Sequence, residues 1–157
     1  MPAISQTDYV RCDALGLADL VRRRQVSAEE LLDVAIARLD AVNPKINAQA
    51  FRFVDLAKKQ LASGLGDGPF AGVPFMTKDL GVMVAGAPLS SGSRAWRDNV
   101  SNRDSVLTER IRDAGLVIFG STTSPELGLT STTENKLQGD THNPWKQGHI
   151  AGGSSGG

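Results

Sequence analysis

Cysteine is almost missing from this 157-residue chain: Cys12 stands alone, so no disulfide can form within it. That fits a reducing compartment, or a fold that needs no covalent staple. An excess of either charge is missing too. Seventeen basic residues balance 17 acidic ones, so no nucleic-acid partner is expected. The longest basic run, Arg22-Arg23-Arg24, reads as a solvated helix face rather than a binding patch. No apolar run approaches the length of a membrane span. Residues 1–6 have neither a basic start nor an apolar stretch, unlike a secretory leader. A cytoplasmic protein with no membrane partner is therefore the expectation. Metal-ligand spacing is also missing, because His142 and His149 are the only histidines and neither pairs with cysteine or acidic residues in a recognisable pattern. No metal and no cofactor are expected.

What remains is ordinary globular material. With 40% apolar and 22% charged residues, the chain is suited to one domain with a real core. No repeat or linker divides it. Asp13 is placed to cap a first helix, with Leu17, Leu20 and Val21 on one face. Ser27 and Glu30 form the sequence signature of a capping box, and Val26 with Leu31 that of a hydrophobic staple. Leu31, Leu32, Ala35, Ile36, Leu39 and Val42 then make a helical stripe, which Asn43-Pro44 is expected to stop. An extended piece and a helix to Leu61 follow, then a glycine-rich loop from Ser63 to Gly72. Val73 to Lys78 reads as a strand, its proline marking an edge or a start. A helix is expected from Asp104 as cap to Ala114, with Leu107, Ile111 and Ala114 aligned and Gly115 ending it. Leu116 to Phe119 is wholly apolar, as in a strand covered on both faces. Ser124-Pro125-Glu126 marks a further helix start. Helix, glycine, buried strand is the pattern of an α/β protein.

Two places carry residues suited to chemistry. A lysine at a strand end, such as Lys78, is ordinarily solvated; a desolvated one loses its charge more readily and can act as a base. The closing run Gly152-Gly153-Ser154-Ser155-Gly156-Gly157 admits several readings. It resembles a flexible linker or an anion-binding loop without the P-loop lysine. It also contains one G-x-S-x-G pattern, though with only a weak strand before it. Asn143-Pro144-Trp145 reads as a structural turn, with the tryptophan packing it.

The ordered set is more specific than its parts. Gly72-Val73-Pro74-Phe75 leads to Lys78-Asp79; then come Ala114-Gly115, Gly120, Ser124 to Gly128, Thr133-Glu134-Asn135, Asn143-Pro144-Trp145, and Gly152 to Gly157. In this order they resemble the amidase signature family over nearly the whole chain. The resemblance implies an α/β fold, with a mixed β-sheet covered by helices and an N-terminal helical pair. Residues 1–157 would be the N-terminal part of a single amidase domain, ending inside its glycine-serine motif. It also implies a Ser–cis-Ser–Lys triad: Lys78 as base, and Ser154 as bridging serine after a cis bond from Gly153. Gly152, Gly153 and Ser155 would support the loop, and Gly128, Leu129 and Thr130 would face substrate. The attacking serine of the family lies further along the chain, past Gly157, so these residues alone are expected to be inactive.

The implied reaction is hydrolysis of a carboxamide through an acyl-enzyme. The implied partner is a small-molecule amide, and the full-length protein is a candidate homodimer. Ser121 and Thr123 stand where many members carry lysine and asparagine, and His149 where many carry arginine. The N-terminal half tilts the resemblance toward hydrolases of linear or cyclic amides of the nylon-oligomer kind, the 6-aminohexanoate-cyclic-dimer hydrolase-like amidases. Two other readings stand beside it: the glutaminase subunit of a tRNA-dependent amidotransferase, and a non-catalytic truncated module.

Overall fold

A computed structural model describes residues 4–146 and 148–157. The chain opens with a short turn of helix, α1 (Gln6–Tyr9), and then the expected helical pair, α2 (Ala14–Arg22) and α3 (Ala28–Ile46). Asp13 caps α2, its carboxylate accepting from Gly16 N at 2.7 Å. The capping box of α3 is complete: Glu30 N donates to Ser27 Oγ at 3.1 Å, and Ser27 N donates back to Glu30 Oε2 at 2.8 Å. These bonds satisfy amides that no helical carbonyl reaches.

The helix α3 does not stop at Asn43-Pro44 but runs to Ile46. A proline in the last turn forfeits one intrahelical bond, and Asn43 offsets the loss. Its carbonyl accepts from Asn47 N at 2.7 Å, and its side-chain oxygen accepts from Ala48 N and Gln49 N at 2.8 and 2.9 Å. Asn47, at φ 49°, turns the chain out of the helix.

A three-stranded sheet in the order β1-β3-β2 follows, built from β1 (Gln49–Arg52), β2 (Pro74–Lys78) and β3 (Val117–Thr122). β1 is antiparallel and β2 parallel to β3, so the sheet is mixed. The apolar run occupies the central strand, as its lack of polar alternation predicts. Val117 and Phe119 pack on one side with Leu32 of α3 and with Ala57 and Leu61 of α4 (Val54–Ala62). Ile118 faces the other side, against Phe53, Val84 and Ala87. Side chains alternate across a strand, so one strand serves two cores. Each large side chain buried this way contributes about 1.5–3 kcal/mol. A further cluster centred on Leu17, Val26, Leu31 and Val73 holds the helical pair to the start of β2.

The helix α5 (Val106–Asp113) crosses from β2 to β3. Its cap is Ser105, whose hydroxyl accepts from Thr108 N at 3.3 Å, and not Asp104. The Asp104 carboxylate is taken by Ala85 N at 2.6 Å and Arg112 Nε at 2.9 Å. Leu107 is exposed; Thr108 and Ile111 face inward. Gly115, at φ +90°, makes the turn into β3, a conformation side-chain-bearing residues resist.

Ser124-Pro125-Glu126 starts only one 3-10 turn, Glu126–Gly128. Leu127 and Gly128 both have positive φ, and Leu127 N is drawn to the Ser91 carbonyl at 2.8 Å. The aperiodic segment after it holds a small hairpin of β4 (Glu134–Asn135) and β5 (Gly139–Asp140). No helix among the described residues is long and apolar enough to cross a membrane.

Candidate active site

Lys78 is the last residue of β2, opposite Thr122 of β3. Strand alternation there buries Thr77 and leaves Lys78 half-buried. Its Nζ lies 3.0 Å from Ser154 Oγ and 3.1 Å from Ser155 Oγ. The fold therefore brings together residues 76 positions apart in sequence. An ammonium or amine at these distances is in hydrogen-bond contact with both hydroxyls.

The serines sit on a loop fitted closely to its surroundings. The Gly153–Ser154 peptide is cis. Thr133, fully buried, donates from Oγ1 to the Gly152 carbonyl at 2.7 Å. A methyl group at Gly156 would collide with the same threonine, and one at Gly153 would lie 2.8 Å from the Ser131 carbonyl carbon. Gly153 and Gly156 are glycines because the backbone there approaches neighbouring chain too closely for a side chain. That contact removes the linker reading: the loop packs on the domain.

The expected substrate-facing residues divide. Gly128 is beside Ser154: a Cβ on Gly128 would stand 3.9 Å from the Ser154 Cβ. Leu129 and Thr130 are exposed, and the Thr130 hydroxyl turns to the Thr132 carbonyl at 2.9 Å. Asn143-Pro144-Trp145 is a turn as expected, with Trp145 N donating to Asn143 Oδ1 at 2.9 Å. The turn closes on its own bonds, and Trp145 is 91% exposed rather than packed against it. Among the described residues no group of three or more His, Cys, Asp or Glu side chains is placed to hold a metal ion.

Sequence reasoning singled out Lys78-Asp79 but saw no task for the aspartate. Asp79 is completely buried. Its carboxylate accepts from Ser90 N at 2.7 Å, Ser90 Oγ at 2.5 Å, Gly92 N at 3.1 Å and Gln138 Nε2 at 3.3 Å. A buried carboxylate needs this many donors when no cation pairs with it, and among the described residues Asp79 is in no ion pair. The serine-rich stretch Ser90 to Ser93 was the available signal for the first donors. Gln138 had none.

A family model described as Amidase matches residues 30–157. The 6-aminohexanoate-cyclic-dimer hydrolase of Paenarthrobacter ureafaciens is 42% identical over 147 residues, covering 92% of this chain and 29% of that protein. A glutamyl-tRNA(Gln) amidotransferase subunit of Acidothermus cellulolyticus is 38% identical over 160 residues, covering 96% of this chain and 31% of that one. A solved structure of 6-aminohexanoate cyclic dimer hydrolase superposes with a TM-score of 0.87 at 37% identity, over 97% of this chain and 31% of its own. The chain thus spans about 30% of the length of the curated relatives it matches. The mixed sheet, the ordered motifs and a family match over most of the sequence lead to one conclusion: the chain belongs to the amidase signature family.

Proposed function

We propose that the protein containing these residues hydrolyses carboxamide bonds through an acyl-enzyme, and that this chain supplies the proton-relay half of its active site. The observation that carries the reading is the 3.0 Å approach of Lys78 Nζ, at the end of β2, to Ser154 Oγ. In this reading a serine outside the 157 residues attacks the amide carbonyl. Its proton passes to Ser154 Oγ as the Ser154 proton passes to Lys78 Nζ. Collapse of the tetrahedral intermediate breaks the C–N bond, and the same path returns a proton to the departing amine. Water then attacks the acyl-enzyme, with the relay working again.

The substrate proposed is a small linear or cyclic amide. Support comes from the relative named for a cyclic dimer of 6-aminohexanoate, a cyclic diamide. A glutaminase subunit is the second reading, favoured by the 38% identity to an amidotransferase subunit. Purified full-length protein, free of partners, tested on cyclic and linear 6-aminohexanoate dimers and on glutamine separates the two. Hydrolysis of the 6-aminohexanoate amides by the protein alone is the expected result. Activity confined to glutamine, and appearing only with added amidotransferase subunits, would favour the subunit instead.

A further inference from the structure

Lys78 and Ser154 ride on different mounts, and something must hold those mounts in register. Lys78 belongs to β2, whose end is tied to β3 through Asp79: Asp79 N donates to the Thr122 carbonyl at 2.9 Å, and Ser124 Oγ donates to the Asp79 carbonyl at 3.1 Å. Ser154 belongs to the glycine loop, held by Thr133 at the foot of the β4–β5 hairpin. The two mounts meet in a closed ring of hydrogen bonds. Asn135 Nδ2 donates to the Ser124 carbonyl at 2.8 Å and to Gln138 Oε1 at 2.9 Å. Gln138 Nε2 donates to Asp79 Oδ2 at 3.3 Å, and Asp79 returns to Ser124. Gln138 is anchored a second time through its backbone, whose carbonyl accepts from Asn47 Nδ2 at 2.8 Å.

We infer that Gln138 and Asp79 are positioning residues for the relay, fixing the separation of Lys78 Nζ and Ser154 Oγ by locking the end of β2 to the hairpin that carries the serine loop. The inference rests on the relay reading above. Neither residue touches Lys78 Nζ or Ser154 Oγ, so each acts through the mounts. Gln138 is the only side chain in the ring that reaches from the hairpin to the Asp79 carboxylate. A displacement of about 1 Å at reacting groups is enough for about a hundredfold loss of rate.

The test is a double-mutant cycle in full-length enzyme, read as kcat on an amide substrate well below the melting temperature of every variant. Gln138→Met keeps the volume and removes the donor and acceptor. It is expected to lower kcat about 10- to 100-fold with KM little changed. The same substitution added to Lys78→Ala is expected to cost less than about twofold, because there is no lysine left to position. Equal losses in both backgrounds, or no loss in either, would overturn the positioning role while leaving Lys78 as base. A Lys78→Ala enzyme as fast as its parent would overturn both. Asp79→Asn repeats the cycle at the other end of the contact; if that variant does not fold, Gln138→Met decides alone.

Discussion

Replacing Lys78 with alanine in the full-length protein is expected to lower kcat for amide hydrolysis by about 10²–10⁴-fold, the range for loss of a positioned general base. KM should move little, since the substitution removes a proton acceptor and not a binding surface. Among the described residues the adjacent carboxylate is not free to substitute. The Asp79 carboxylate points away into the Ser90–Gly92 loop, with four donors already on it. The fold should tolerate the change, because β2 is held to β3 by backbone bonds and the Lys78 side chain is only half-buried. Lys78→Arg is expected to fail as a rescue, because a guanidinium does not give up its proton. Steady-state kinetics with a melting curve on each variant checks the expectation. A Lys78→Ala enzyme within about threefold of the parent would remove lysine from the mechanism.

The second large effect is expected at Ser154. Distance alone does not separate the two serines, since both hydroxyls lie within 3.1 Å of Lys78 Nζ. Their surroundings do. Ser154 is half-buried and beside Gly128, whereas Ser155 is exposed. In the proposed mechanism the bridging hydroxyl serves the lysine and the substrate together, and the role goes to Ser154, the less exposed of the two and the one beside Gly128. Ser154→Ala should therefore lower kcat about 10²–10⁴-fold, and Ser155→Ala about tenfold, through loss of one hydrogen bond to the lysine. Purified variants with matching circular dichroism spectra give the comparison. If Ser155→Ala were the slower enzyme, the two roles would have to be exchanged.

These residues differ in how far the sequence announced them. The capping box at Ser27 and Glu30 was legible because both partners lie within one helical turn. The strand expected at Leu116 to Phe119, observed as Val117–Thr122, was legible because burial on both faces forces an unbroken apolar run. Where a distant group intervened, local reading slipped. Asp104 has the chemistry of a cap, but Arg112 and Ala85 claim its carboxylate and Ser105 takes the task. Pro44 looks like a stop, yet Asn43 carries the backbone through the last turn. Ser124-Pro125-Glu126 looks like a helix start, yet Ser91 pulls the chain into a left-handed turn.

The candidate site follows the same division. Local features mark the Lys78 strand end and the closing glycine-serine run as places suited to chemistry, but the roles proposed for Lys78 and Ser154 come only from the order of motifs along the chain. Gln138 was out of reach altogether. It lies in a polar segment without periodicity, and its significance comes from an aspartate 59 residues earlier. A hydrogen-bonded ring assembled from separate elements leaves no pattern in any one of them.

If Lys78 and Ser154 act as one relay, their losses cannot add. The most direct measurement is kcat of the Lys78→Ala/Ser154→Ala double variant beside its two single variants. For a single unit, the double variant is no more than about twofold slower than the slower single, because either loss already breaks the relay. If the two losses multiply, the residues work independently and there is no relay.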